Sequence, residues 1–435
     1  MTLLVISPDY ASHLLPLAAL GVAWQDAGER VVVASGPATA QIVESFGYER
    51  APLQLGRGSN PGVIRADKQP DAEADSLRGF FDATRRGMVP TLTYQATARL
   101  VDLMWQPVEK ARATLQLIEA VRPDAILVDH LAYSARLALW AADVPHADVV
   151  LGHPTALPVG EEVYGCPPVW PRAFRPDPVE MAGLEVLCRR VAAGFTAEWN
   201  RAAEQLAPGL PAVDDAFALH GPLVLYNYPG ELAMPEREPG LPPHRYLGAS
   251  LRAEPVDREV DTWLSTGDPF VYVSFGSFLS VRGDVLACVV TALRAAGVRA
   301  AVASGATPVA ELGEVPSGWL VREYLPQVRL LREASAAVTH GGNNSVTESV
   351  ATATPMLVLP FSTDQFAGAT AVERAGMGEA LDPNVASVDE IRAALVRILD
   401  LSGPGRQTLR SAALALDQDP GPARAWRASR ASAIS

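Results

Sequence analysis

Residues 3–6 form an unbroken apolar run, followed by a polar loop over 7–12 and by apolar positions at Leu17, Leu20, Gly21 and Trp24. The i, i+3, i+4, i+7 spacing puts those four on one stripe of a helix. Gly28 stops that helix, and 30–35 supplies a second apolar run. A strand that does not alternate with polar residues, followed by an amphipathic helix, is buried on both faces; this pattern predicts a parallel sheet covered by helices. The unit recurs at 125–128, with a helix after His130 and a further strand near 147–151. A long helix is predicted over 93–120. Two stretches, 51–78 and 152–178, are punctuated by Pro and Gly and read as long loops, which in compact domains usually carry function.

Near Tyr228 the pattern lapses into a Pro-, Gly- and Glu-rich stretch that reads as a linker. A second βα series then begins, with strands at 270–275, 300–304, 320–322, 336–339 and 356–360 and a helix starting at Gly283. The expected layout is α/β: an N-terminal Rossmann-like domain over 1–228, a linker over 229–262 and a second Rossmann-like domain over 263–405. A helical tail over 406–435 is expected to pack back toward the first domain. A length of 435 residues suits two domains of roughly 200 residues each.

Composition removes several function classes. The formal net charge is −13, which opposes binding to nucleic acid over most of the surface. Cys166, Cys188 and Cys288 are scattered, without CxxC spacing, and read as inert thiols rather than a disulfide framework or zinc site. No apolar run approaches the ~20 residues of a membrane span, and no basic leader precedes the first strand, so the expectation is a cytoplasmic protein, monomer or homodimer. A Walker ATPase is excluded because Lys68 and Lys110 follow Asp67 and Glu109 rather than Gly, and no Gly-x-Ser-x-Gly elbow occurs. Asp417-Gln-Asp419 matches a metal-binding DxD but reads as a solvated loop; no metal ligands are assigned.

The informative stretch is 324–365. The strand at 336–339 ends at His340-Gly341-Gly342-Asn343-Asn344-Ser345, and a helix carrying Val346, Val350 and Ala353 follows. Two glycines let backbone approach a ligand, and the helix start offers free N–H groups and the positive end of a dipole, suited to a diphosphate. The competing reading is a tight turn with Ser345 and Glu348 as a capping box. Ser362-Thr-Asp364-Gln365 carries the same ambiguity at the next helix start.

Taken together, Tyr324-Leu-Pro-Gln327, His340-Gly-Gly-x-Asn344-Ser345, Glu348, Pro355 and Pro360-x-x-x-Asp364-Gln365, with Val273-Ser-Phe-Gly-Ser277 upstream, resemble the nucleotide-sugar signature of family 1 (UDP-glycosyltransferase-like) enzymes of bacterial natural-product pathways. The resemblance implies a GT-B fold, two facing Rossmann-like domains with the site in the cleft between them. It implies an inverting transferase that moves a sugar from a UDP- or dTDP-sugar to a hydroxyl of a small molecule, without metal or other cofactor. By the same resemblance Tyr324 would stack on the base and Gln327 would lie beside it. Ser277, His340, Gly342, Asn344 and Ser345 would bind the diphosphate, Glu348 the ribose, and Asp364 and Gln365 the sugar hydroxyls. In the first domain Ser12-His13-Leu-Leu-Pro16 resembles the family's Gly-His-x-x-Pro, which makes His13 the general base, and Asp129 resembles the acid that orients it. A helix start should keep His13 neutral. This sequence departs from the family at Ser12, at Asn343 and at Gly368, where relatives carry Asn. A nucleotide-sugar 2-epimerase of the same fold, or a non-catalytic auxiliary protein, are the alternatives. Phe80, Phe81, Tyr133, Trp170 and Phe174 are candidates for an acceptor pocket or for ordinary packing.

Overall fold

The computed structural model describes residues 1–60, 62, 71–102, 104–251, 253–400 and 402–432. Two all-parallel sheets organise the chain. The first contains β1 (Thr2–Ile6), β2 (Arg30–Ser35), β3 (Glu49–Pro52), β4 (Ala125–Asp129), β5 (Ala147–Val150), β6 (Leu223–Tyr226) and β7 (His244–Tyr246), in the order β3-β2-β1-β4-β5-β6-β7. The second contains β8 (Phe270–Ser274), β9 (Arg299–Ala303), β10 (Leu320–Arg322), β11 (Ala336–Thr339), β12 (Met356–Val358) and β13 (Gly378–Ala380), in the order β10-β9-β8-β11-β12-β13. The apolar runs that predicted the central strands are buried along most of their length, as a sheet covered on both faces requires. Strand order reverses between β1 and β4 in one sheet and between β8 and β11 in the other. Ligands of such sheets bind beyond the carboxyl ends of the strands at those reversals.

Several expectations need correction. The stretch predicted as a loop over 51–78 ends in a helix, Asp71–Arg86; its residues 61 and 63–70, Lys68 among them, lie outside the described residues. Polar residues dominate the start of that helix, but Phe80 and Phe81 form a short apolar stripe that packs on Phe278 of the second domain, at 5.1 and 5.5 Å between ring centres. The single helix predicted over 93–120 is two, Met88–Asp102 and Pro107–Val121. Pro107 opens the second, where its missing N–H costs nothing, and Gln106 turns the chain with φ 47°. The stretch 229–262 contains β7, which pairs with β6.

The tail forms two helices, Pro404–Gln418 and Gly421–Ser432; the second packs on the first helix of the chain, Ala11–Asp26. Asp417 and Asp419 end the former helix instead of occupying a solvated loop, and Asp419 pairs with Arg424 and Arg427 at 3.3 and 2.5 Å. Among the described residues no helix is long and apolar enough to cross a membrane. The largest apolar cluster joins both domains, with Val150, Val224 and Tyr226 sharing it with Tyr272, Val346 and Val358.

Candidate active site

A cavity of about 570 Å³ lies between the carboxyl ends of the two sheets. Its first-domain wall starts where β1 gives way to the helix Ala11–Asp26. His13 stands in the first turn of that helix with 23% of its side chain exposed, while Asp129, the last residue of β4, is fully buried. Nδ1 of His13 is 2.7 Å from Oδ2 of Asp129. The other carboxylate oxygen accepts the Leu131 N–H at 2.9 Å and lies 3.5 Å from Nδ1 of His130. A carboxylate only accepts, so the imidazole proton belongs on Nδ1 and Nε2 is left as the acceptor.

Burial opposes charge on His13, but the Asp129 carboxylate outweighs it by charge and hydrogen bond, with Asp364 adding to the field, and the pKa is raised above 6.5. The contact with Asp129 therefore works against the helix start: a full charge in contact raises the pKa that the partial charge of a helix end would lower. Burial also opposes charge on Asp129, yet His13 and His130 hold its carboxyl well below the usual range.

The second-domain wall is the turn after β11. Gly341 has φ +78°, and a Cβ there would come within 2.6 Å of Val358 Cγ1. A Cβ on Gly342 would meet His340 Nε2 at 2.3 Å. Only glycines let this turn close beneath the imidazole. The helix Asn343–Ala351 then begins, with Gly342 as N-cap and no side-chain cap, so its first N–H groups have no cap among the described residues. Burial lowers the His340 pKa to about 4, which keeps the ring neutral. The capping box read as the alternative at Ser345 and Glu348 does not form. The Glu348 carboxylate instead accepts from Gln327 Nε2 at 2.5 Å, and Gln327 Oε1 accepts from the Tyr272 hydroxyl at 3.3 Å.

The two walls touch through polar bonds. Pro16 has no N–H to give the Ser12 carbonyl one turn back, and that carbonyl accepts from Asn344 Nδ2 at 3.0 Å. Asn343 Nδ2 donates to the carbonyls of Leu151 and Asn227, at 2.7 and 3.0 Å, beyond the ends of β5 and β6. Asp364 does not cap its own helix; its Oδ2 accepts the His153 N–H at 2.5 Å and Oδ1 accepts from Thr363 Oγ1 at 3.0 Å.

His13, Ser277, Tyr324 and Gln327 therefore line one cavity together with His340, Gly342, Asn344, Ser345 and Asp364. Tyr324 presents a ring that is 61% exposed. Three predicted residues stand behind the wall: Asp129 beneath His13, Glu348 beneath Gln327, and Gln365, whose Oε1 accepts from the Phe361 and Ser362 N–H groups at 3.0 and 3.2 Å. Among the described residues no three His, Cys, Asp or Glu side chains group as metal ligands would. Phe80, Phe81, Tyr133, Trp170 and Phe174 do not line the cavity; they pack in apolar clusters, Phe174 edge-on to Phe366 at 5.3 Å. Sequence reasoning missed Arg99, His130 and Tyr164, which do line it. No motif surrounds Arg99 or Tyr164, and only the folded chain brings them together.

Residues 232–418 match the model of the UDP-glucoronosyl and UDP-glucosyl transferase family. The oleandomycin glycosyltransferase of Streptomyces antibioticus is 37% identical over 91 residues, 21% of each chain. In three curated relatives, this one included, the matched stretch covers 18%, 21% and 31% of the relative's length. The 3-alpha-mycarosylerythronolide B desosaminyl transferase of Saccharopolyspora erythraea matches at 23% identity over 89% of this chain and 88% of its own. The crystal structure of glycosyltransferase VinC in complex with dTDP superposes with a TM-score of 0.66 at 18% identity, covering 100% of both chains. The fold is thus GT-B throughout, and the resemblance to family 1 glycosyltransferases is borne out.

Proposed function

We propose that this chain, a GT-B fold whose residues 232–418 match the UDP-glucoronosyl and UDP-glucosyl transferase family, is an inverting glycosyltransferase. It moves a sugar from a UDP- or dTDP-sugar to a hydroxyl of a small natural product. The observation that carries this reading is the His13–Asp129 pair facing the His340–Ser345 turn across one cavity, each at the strand-order reversal of its sheet. Nε2 of His13 takes the acceptor's hydroxyl proton, Asp129 holds the ring and the imidazolium that forms, and the oxygen attacks the anomeric carbon from the face opposite the phosphate. The departing diphosphate gains negative charge. The N–H groups at the start of Asn343–Ala351, with Ser277, Asn344, Ser345 and neutral His340, are arranged to receive it without a metal.

Tyr324 and Gln327 take the base. The Asp364 carboxylate takes a sugar hydroxyl in place of the His153 N–H that it accepts here, and Glu348 acts through Gln327. Incubation with dTDP- and UDP-α-hexoses and a panel of hydroxylated aglycones tests the reading. A β-glycoside, identified by its anomeric proton coupling, is expected. Retained configuration, or epimerised sugar released without acceptor, would exclude it.

A further inference from the structure

One charged side chain in the cavity has no part in the mechanism above. Arg99, in the last turn of the helix Met88–Asp102, is the only lysine or arginine among the described lining residues. It has no ion-pair or hydrogen-bond partner among the described residues. Its contact is the face of Tyr164, with Cζ 4.9 Å from the ring centre. That ring is held firmly. Tyr164 stacks on Phe217 at 4.0 Å and 7°, Phe217 stacks on Phe195 at 4.2 Å and 14°, and Tyr133 meets Phe195 edge-on at 4.9 Å. The guanidinium therefore lies on a fixed aromatic platform that restricts its plane.

We propose that Arg99 anchors a carboxylate on the acceptor, so that the preferred acceptors combine the reacting hydroxyl with a planar anionic group. The proposal rests on the transferase reading. Its physical basis is a cation without a charged partner among the described residues, in the wall of a largely apolar cavity. Losing hydration without gaining a partner is unfavourable, and a ligand carboxylate supplies two parallel N–H···O bonds to the guanidinium fork. The position favours acceptor over donor. Arg99 lies beside Tyr164 and Gly165, both in the first domain, which also carries His13. The donor turn at His340–Ser345 belongs to the opposite wall and works with neutral groups. In the same cavity, Leu131, Cys166 and Pro167 offer apolar surface for the body of an aromatic acid.

The test is a matched pair of ligands, 4′-hydroxybiphenyl-4-carboxylate and its carboxamide, titrated by calorimetry into the full chain without donor. The wild type should bind the carboxylate roughly tenfold more tightly, the usual worth of hydrogen bonds to a charged group. Arg99→Met should bring the two ligands to parity with carboxamide affinity unchanged, and Arg99→Lys should keep part of the preference. Affinity for dTDP should be the same in all three proteins. Equal binding of the pair by the wild type, a preference that survives Arg99→Met, or loss of dTDP affinity in Arg99→Met would each overturn the proposal. Because no step needs turnover, a failure of the transferase reading would show separately, as a carboxylate preference without glycoside.

Discussion

The two walls of the cavity handle charge in opposite ways. On the first-domain wall a titratable ring is clamped to a buried carboxylate, which raises the ring's pKa. On the second-domain wall the one imidazole lining the cavity among the described residues is held neutral by burial, and the turn that carries it offers amides, a hydroxyl and helix N–H groups. A proton has to move at the first wall, so it needs a group whose charge changes. At the second wall an anion only has to be held, and fixed dipoles do this without reorganising. Each wall is unsuited to the other's task.

Experiments can break or sharpen that contrast. The largest effect expected is that of His13→Ala, which should lower turnover on the order of 10²–10⁴-fold, the usual worth of a general base, while dTDP affinity stays near wild type. Near-native turnover would remove the first wall from the chemistry. Next, His340→Ala should lower kcat/KM for the donor by roughly 10–100-fold, a lost hydrogen bond to a charged group, without rescue by magnesium. Wild-type activity should survive exhaustive chelation; activity abolished by chelator and restored by a divalent ion would mean that the second wall is not sufficient alone. The smallest effect is in pH. A base must be neutral to act, so kcat/KM should rise with pH through an inflection above 6.5, the direction in which Asp129 shifts His13. His340, with a pKa of about 4, stays neutral over that range and adds no second inflection there. An inflection below 6.5 would mean that the carboxylate does not dominate the ring.

Most of the fold was readable because buried parallel strands are written as unbroken apolar runs. Leu3–Ile6 and Phe270–Phe275 announce themselves without reference to anything distant in sequence. The ligand turn was readable for a similar reason, since Gly341 and Gly342 mark a backbone that has to close tightly. The helix Asp71–Arg86 was missed because its apolar stripe is short and faces Phe278, a residue of the other domain. The raised pKa of His13 was missed because it depends on the 2.7 Å contact with Asp129, a distance set by the pairing of β1 with β4. Local rules lower the ring's pKa, and a tertiary contact raises it. Gln365 was assigned to the sugar by its motif, yet its amide is engaged by the loop that precedes it.

The tail gives the molecule a mechanical property. The chain passes between domains once after β7 and returns between Pro404–Gln418 and Gly421–Ser432. The first of these helices contributes Leu409 and Ala412 to the cluster that holds Val346 and Val350, and the second lies on Ala11–Asp26. The two crossings run side by side: Leu247 shares an apolar cluster with Ala425 and Trp426, and Arg424 Nη1 reaches the Tyr246 carbonyl at 3.4 Å. Two neighbouring tethers constrain the domains as the paired leaves of a door hinge would. Sliding and shearing would pull them apart, whereas swinging about the line through them leaves both intact. Cutting the chain at 419–420 would remove one of the two tethers, leaving the shared apolar cluster and the bonds of Asn343 and Asn344 to keep His13 and His340 on the same cavity.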